Sequence, residues 1–382
     1  MKFVFASNFL SPHQLPFCLA ISKMKNVDFT FVATDPIPEE RRTLGYEDLD
    51  KKYPFVVCAY ESDQLMQKGT ELVTQADIAI IGSAPSKMAR QRIKEGKITF
   101  RGCERQLKHG LEPLKYFYRF IRWHKNTPNK KNCLLLCASA YASYDFSLFG
   151  LYKNRAYKWG YFPQTKKYDD IDALISKKEE NSILWVGRLI DWKRPESMLV
   201  LAKELKEKGY KFKIKILGTG EMEQSLKDEI VKQGLQNEVI MLGSRKVDEV
   251  RQYMENSRIF ITTSNREEGW GAVVNEAMNS GCAVIASNVV GAAPYLIKHG
   301  QNGMIYSDGN MKQCISLVEE LLNDNKKTAK MGAEAYRTIA NEWNAENAAE
   351  KLIVLCENLL QNKPTDNLFN DGVCSKAEII KG

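Results

Sequence analysis

The sequence lacks any apolar run close to the roughly 20 residues that a membrane-spanning helix needs. Its opening, Met1-Lys-Phe-Val-Phe-Ala, is too short an apolar run for a signal peptide and reads as a first strand. Histidine is scarce. The four, His13, His109, His124 and His299, are dispersed without zinc-ligand spacing. The nine cysteines also lack metal-ligand spacing. They are odd in number and several (Cys58, Cys133, Cys137, Cys282) sit in apolar strand-like runs, which suggests reduced, buried thiols and a cytoplasmic setting. No Gly-x-Ser-x-Gly nucleophile elbow and no Gly-x-x-x-x-Gly-Lys phosphate loop occurs, and Leu217-Gly-Thr-Gly-Glu lacks the third glycine of a dinucleotide fingerprint.

What remains is a chain of 382 residues, 44% hydrophobic and 27% charged, which suits two domains of ordinary size, each with its own core. The net charge of +8 is uneven: residues 101–163 hold twelve Lys and Arg against three Asp and Glu. A basic first half suits an anionic lipid, a phosphorylated acceptor, or simply a solvated surface. No recognised nucleic-acid module accompanies it, so nucleic acid is not expected as a partner.

Short apolar runs alternate with helical ones. In the first half, strands are expected at Phe3–Ala6, Phe29–Ala33, Phe55–Ala59, Ile78–Ile81, Ile98–Phe100 and Leu134–Ala138. Helices are expected at Ser62–Gln75 and Ser86–Glu95, with another opened by Ser11 as N-cap and Pro12 as first helical residue and running through Ile21. The second half repeats the scheme, with strands near Ile183–Val186, Phe212–Leu217, Val239–Leu242, Ile259–Thr262 and Cys282–Ala286, and amphipathic helices at Asp248–Asn256 and Met311–Leu322. This alternation indicates an α/β protein with two parallel, doubly wound, Rossmann-like domains. The expected division is 1–163, a polar linker at 164–181, a second domain at 182–344, and a helix with tail at 345–382. Asp170-Ile-Asp172 has the form of a metal-binding Asp-x-Asp but lies in the charged linker, so it reads as a solvated turn and no metal site is assigned.

Chemistry concentrates between Asn265 and Ser287. A Gly-rich turn (Gly269 to Gly271) precedes a short helix (Ala272 to Asn279) and a buried strand. Free N–H groups at a helix start bind anions, and glycine lets a ligand approach the backbone. Glu268 and Glu276, with seven residues between them, flank that start and suit neutral hydroxyls. A phosphate and two hydroxyl-binding acids together suggest a nucleotide sugar. For either Glu alone, helix-entry charge compensation or an exposed helix face explains it as well. In open α/β sheets, ligands bind beyond the carboxyl ends of strands. That rule selects Gly187 and Arg188 with Lys193 five residues further on, a fork and a point charge suited to a diphosphate, and the tight turn at Gly218.

The pattern Glu268-Gly-Trp-Gly and Glu276-Ala-Met, with seven residues between the two Glu, followed by Gly281-Cys-Ala-Val-Ile-Ala-Ser, resembles the donor-site signature of glycosyltransferase family 4, retaining enzymes of GT-B fold. Gly187-Arg-Leu-x-x-x-Lys193, Val290-Gly-Ala-Ala-Pro and His299-Gly-Gln-Asn-Gly continue it, and the resemblance covers Ser182 to about Leu360. It implies that Glu276 holds ribose hydroxyls and Glu268 those of the transferred sugar. Arg188 and Lys193 would bear the leaving diphosphate. Trp270, Gly271, Ala272 and Val273 would offer backbone to sugar and phosphate, and Gly243, Ser244 and Arg245 would meet the base. It further implies a last helix that crosses back to the first domain, an acceptor bound by the first domain, a cleft closing over both substrates, and a leaving group stabilised by cations without a metal or other cofactor.

The first half departs from the family's common Gly-Gly loop. Ser7-Asn-Phe-Leu-Ser-Pro-His, Ile98-Thr-Phe-Arg-Gly-Cys-Glu-Arg and Lys158-Trp-Gly-Tyr-Phe-Pro resemble a bacterial subgroup that builds capsular or other surface polysaccharide. His13, Arg101 and Glu104 are the acceptor-side candidates there; helix-start packing for His13 and a local salt bridge for the other two are the structural alternatives. Leu114-Lys-Tyr-Phe-Tyr-Arg-Phe-Ile-Arg-Trp-His-Lys interleaves aromatics with cations and suits either a membrane interface or core packing. The expected activity is transfer from a nucleotide-diphosphate sugar to a lipid-linked or polysaccharide-precursor acceptor, in the cytoplasm or on the inner face of the plasma membrane. A nucleotide-sugar epimerase, a silent partner subunit and a storage-polysaccharide synthase are the rivals.

Overall fold

The computed structural model describes residues 1–43, 47–126 and 131–381. They form two units, Met1–Gln164 with Asn344–Gly382, and Thr165–Trp343.

In the first unit, seven parallel strands line up as β3-β2-β1-β4-β5-β6-β7. They are β1 (Lys2–Ser7), β2 (Asp28–Ala33), β3 (Val56–Cys58), β4 (Ile78–Ile81), β5 (Ile98–Cys103), β6 (Cys133–Cys137) and β7 (Ala156–Lys158). Ile-Ala-Ile-Ile in β4 and Cys-Leu-Leu-Leu-Cys in β6 are buried along their whole length. Helices cover both faces of a parallel sheet, so its central strands have no polar face. The first helix starts at Leu15, later than its sequence suggests. The carbonyl of Ser11 accepts from the N–H groups of Gln14 and Leu15 in a separate turn. The Ser11 hydroxyl donates to Gln14 Oε1 at 3.2 Å and so caps nothing.

The late helix Ala345–Leu360 packs on the helix Leu15–Ser22, inside this unit. The tail continues the sheet beyond β7. Lys158 N–H donates to Ser375 O at 2.8 Å and Cys374 N–H to Lys158 O at 2.9 Å. The Lys158 ammonium meets Asp371 at 2.8 Å and Glu378 at 3.1 Å.

The second unit has six parallel strands in the order β10-β9-β8-β11-β12-β13. They are β8 (Glu179–Val186), β9 (Lys213–Leu217), β10 (Val239–Gly243), β11 (Ser257–Thr262), β12 (Ala283–Ser287) and β13 (Met304–Tyr306). The stretch expected as a linker belongs to this unit from Thr165 onward. Its helix Ile171–Ser176 buries Ile171 and Ile175 against Ala333. Asp170 is solvent-exposed, as expected, but it opens a helix instead of a turn. It caps that helix by accepting from Ala173 N–H at 2.9 Å.

Each unit also buries a cation that is held by backbone carbonyls and has no carboxylate partner among the described residues. Arg92 donates to the carbonyls of Val73, Ala76, Asp77 and Ile98 at 2.5–2.8 Å and to Thr99 Oγ1 at 3.0 Å. Burial pulls its pKa down to about 10 against the raising pull of Asp77 and Glu95. Lys178 donates to the carbonyls of Met254, Glu255, Ser257 and Ser280 at 2.8–3.0 Å. Each cation therefore gathers a helix end and the start of a strand, and for several of these carbonyls it is the donor. Arg92→Met or Lys178→Met should cost at least about 3 kcal/mol, since each orphaned buried acceptor costs about 1–3 kcal/mol. Urea unfolding measures this; a loss below about 1 kcal/mol would mean that these carbonyls find other partners in the variants.

Candidate functional site

In the second sheet the strand order reverses between β8 and β11. The carboxyl ends of strands at such a switch point form a natural crevice. Beyond β8 run Gly187, Arg188 and the turn Asp191–Lys193; beyond β11 run Thr263 to Gly271, then the helix Ala272–Asn279. The two segments are stitched together. Trp185, buried, donates from Nε1 to Thr263 Oγ1 at 2.9 Å, and that hydroxyl donates to Lys193 O at 2.6 Å. Asn265 N–H donates to Trp192 O at 2.9 Å.

The result brings the expected charges into one place. Lys193 forms an ion pair with Glu268, and Ser264 Oγ donates to the same carboxylate oxygen at 3.0 Å. Both ionic side chains are largely buried. Arg188 and Lys193 share the Trp192 ring, with the guanidinium carbon 5.8 Å and the ammonium 4.6 Å from its centroid. Trp192 and Ser264 were not singled out in the sequence. An aromatic within an Asp-Trp-Lys turn and a Ser at a strand end are too common to signal a site until the chain folds.

On the other side of β8, glycines let three strand ends close up. Gly187 N–H donates to Leu217 O at 3.0 Å, and Gly218 N–H to Gly243 O at 2.9 Å. A Cβ on Gly218 would lie 1.8 Å from the Gly187 carbonyl oxygen, and its φ is +140°. Ser244 and Arg245 follow Gly243 and are exposed, with Arg245 donating to the Ser244 carbonyl at 3.0 Å.

Gly271 starts the helix from the left-handed region, at φ +85°. Ala272 and Val273, half-exposed, occupy the first turn, where N–H groups have no intrahelical acceptor. Trp270 is an anchor for this loop. Its ring is buried against Tyr295 and Trp343, its Nε1 donates to Asn275 Oδ1 at 2.8 Å, and its carbonyl accepts from Ala292. Glu276 lies a turn further along the helix. Burial raises its carboxyl above the ordinary value, opposed by Arg251. Arg251, not foreseen, ties the helix end to its neighbour through the Glu276 carbonyl at 3.3 Å and Asn279 Oδ1 at 2.9 Å.

The first sheet reverses between β1 and β4, and a pocket of about 350 Å³ opens at those strand ends. His13, Arg101 and Glu104 all line it. The His13 ring stacks on Tyr161 at 6.2 Å, and Tyr161 OH donates to Glu104 Oε1 at 2.8 Å. Glu104 forms the local salt-bridge alternative, with Lys108 at 3.4 Å, whereas none is found for Arg101 among the described residues. Arg101 Nε is buried and has no hydrogen-bond partner among the described residues. Burial, then the charge of Arg41, lowers the His13 pKa to about 4.

Two parallel, doubly wound Rossmann-like units define the GT-B fold. Residues 167–338, within the second unit, match the family described as Glycosyl transferases group 1. The capsular polysaccharide biosynthesis glycosyltransferase CapM of Staphylococcus aureus is 27% identical over 168 residues, 44% of this chain and 43% of that protein. The amylovoran biosynthesis glycosyltransferase AmsK of Erwinia amylovora is 25% identical over 298 residues, 74% of this chain and 70% of that protein. An uncharacterized glycosyltransferase of Haemophilus influenzae is 27% identical over 177 residues, 46% and 49% of the two chains. The chain thus spans about half the length of most of these curated relatives. Among solved structures, Anabaena Alr3699/HepE in complex with UDP superposes with a TM-score of 0.66 at 16% identity, covering 94% of this chain and all of that one. The apo lipopolysaccharide outer core galactosyltransferase WaaB gives 0.64, also at 16% identity, covering 94% of this chain and 100% of that one.

Gly218→Ala should lower stability by more than about 1 kcal/mol, because both the contact and the backbone angle oppose a side chain; a thermal midpoint equal to the parent's would show that the Gly187 carbonyl moves aside. His13 should titrate by NMR near pH 4. Its folded pKa lies below the 6.5 of the unfolded chain. The unfolded state therefore binds the extra proton, and His13 costs stability as pH falls from about 6.5 to about 4. His13→Gln should remove that part of the acid loss; a midpoint near 6.5 would contradict the burial argument.

Proposed function

We propose that this chain is a retaining glycosyltransferase of family 4 that moves a sugar from a nucleotide-diphosphate sugar to a lipid-linked or polysaccharide-precursor acceptor in surface polysaccharide synthesis. The observation that carries this reading is the grouping of Arg188, Lys193 and Glu268 at the β8/β11 switch point, ahead of the Gly271 helix start. A diphosphate leaving group gains charge as the glycosidic bond breaks, and preorganised cations and amides stabilise that charge in a partly dry site. Arg188, Lys193 and the amides of Ala272 and Val273 would serve it. Glu268, held by Ser264 and Lys193, is oriented to accept from sugar hydroxyls. Glu276 would accept from ribose hydroxyls, and the Gly243–Arg245 loop would border the base. Cations in these places would do the work of a metal, so no metal is assigned.

Retention would follow from attack on the face that the diphosphate leaves. The acceptor oxygen bonds to the anomeric carbon, the carbon–phosphate oxygen bond breaks, and the acceptor's proton passes to the departing diphosphate. The acceptor would occupy the first unit's pocket, where His13 is neutral and Tyr161 holds Glu104. The CapM and AmsK names support the surface-polysaccharide setting, and the UDP complex of HepE supports a uridine nucleotide as the first donor to try.

A panel of UDP-, GDP-, ADP- and CMP-sugars tested by thermal stabilisation should single out one nucleotide class, and Glu276→Ala should abolish the shift. Arg188→Ala should lower kcat by about 10²–10³-fold with a smaller change in KM, the mark of a contact that strengthens in the transition state. Equal binding by parent and both variants would remove the donor assignment, and conversion of the donor sugar with no acceptor present would point to an epimerase.

A further inference from the structure

The helix Pro113–Asn126 has no buried residue. Two apolar stripes run along it, and the first unit uses one. Tyr116 and Trp123, seven residues apart, pack on Phe149 at 4.9 and 4.5 Å between ring centroids, and Trp123 also meets Phe146 at 4.8 Å. Phe120 joins this side through Tyr116. The second stripe has the spacing i, i+3, i+4, i+7 and faces solvent: Leu114, Phe117, Tyr118 and Ile121 are 99, 76, 63 and 66% exposed. Leu111, just before the helix, is exposed as well. A contiguous patch of large apolar side chains on a surface helix is a binding face, whereas scattered single ones need no explanation.

Charge identifies what covers it. The helix contains no acidic residue, and Lys115, Arg119 and Arg122 lie along one flank of the exposed stripe, with Lys125 near its C-terminal end. Lys115 and Arg119 are oriented by Glu112, at 2.7 and 2.6 Å. The Arg122 guanidinium lies 5.9 Å from the Tyr118 ring centroid. A second copy of this chain would bring like charges together. The complement of an apolar centre with a cationic flank is an apolar layer under an anionic surface.

We infer that this helix seats the first unit on an anionic lipid bilayer, with Leu114, Phe117 and Ile121 entering the acyl boundary, Tyr118 at the headgroup level, and Lys115, Arg122 and Lys125 against lipid phosphates. The inference rests on the first unit alone, so it stands or falls independently of the donor site, and it deepens the lipid-linked acceptor reading if both hold.

The full chain is sedimented with vesicles of phosphatidylcholine alone and with vesicles of equal parts phosphatidylcholine and phosphatidylglycerol. Binding is expected on the phosphatidylglycerol vesicles, weakened by added salt, with far less on phosphatidylcholine. Phe117→Ser with Ile121→Ser should weaken it about tenfold or more, and Arg122→Glu with Lys125→Glu should abolish the preference for phosphatidylglycerol. Unchanged circular dichroism and unchanged nucleotide stabilisation would show that these variants fold and keep the second unit intact. Equal binding to both compositions, no binding to either, or variants that bind as the parent does would overturn the inference. A concentration-dependent dimer lost in the Phe117→Ser, Ile121→Ser variant would assign the face to a second copy and overturn it too.

Discussion

The second unit depends on how closely two backbones approach at the carboxyl ends of β8 and β9. The Gly187 carbonyl occupies space that a Cβ on residue 218 would need. That approach lets Gly187, Gly218 and Gly243 hydrogen-bond across three strand ends, so the loops beyond them leave the sheet as one surface. Glycine is used for the absence of its side chain: a parallel sheet fixes strand spacing, and only a bare backbone allows the loops above it to close further.

Across β8 a different interaction sets the site. Lys193 and Glu268 pair in a largely buried position, and each is also fixed by its own loop. Bringing two charges out of water is costly unless they meet each other with good geometry and further hydrogen bonds. The Ser264 hydroxyl supplies one such bond at the carboxylate, and the Thr263 hydroxyl fixes the Lys193 backbone through its carbonyl. The pair is thereby preorganised and stays partly open to solvent. The same residue types do structural work elsewhere. Arg92 and Lys178 are surrounded by carbonyls and close off helix and strand ends, while Arg188 and Lys193 lie over a half-exposed indole at a strand-end crevice. The neighbours decide which cation is a strut and which faces a ligand.

Most of the sheet architecture was legible in the sequence because parallel strands are buried on both faces. Ile78–Ile81 and the helix Ala345–Leu360 are found with the bounds their patterns suggest. The start of the first helix was misread because a Ser-Pro pair signals a helix entry and a turn alike, and the Gln14 side chain captures the Ser11 hydroxyl. The stretch from Thr165 to Lys178 looked like a linker because its composition is polar. Its few apolar residues, Ile171 and Ile175, nevertheless bury against Ala333, a contact over 150 residues away that no local pattern contains.

By itself the sequence determined the α/β class, the two-unit order, and the positions of Arg188, Lys193, Glu268 and Glu276 at strand ends and a helix start. These follow from periodicity and from glycine placement, which are local. Tertiary structure alone decided that Lys193 would pair with Glu268, that Trp270 would anchor its loop against Trp343, and that Tyr161 would join His13 to Glu104. It also decided which of two equivalent apolar stripes on Pro113–Asn126 would meet Phe146 and Phe149. The reason is common to all four. Each depends on residues far apart in the chain that meet only when the crossover connections bring separate strand ends and helices into contact, and side-chain periodicity carries no record of that partner.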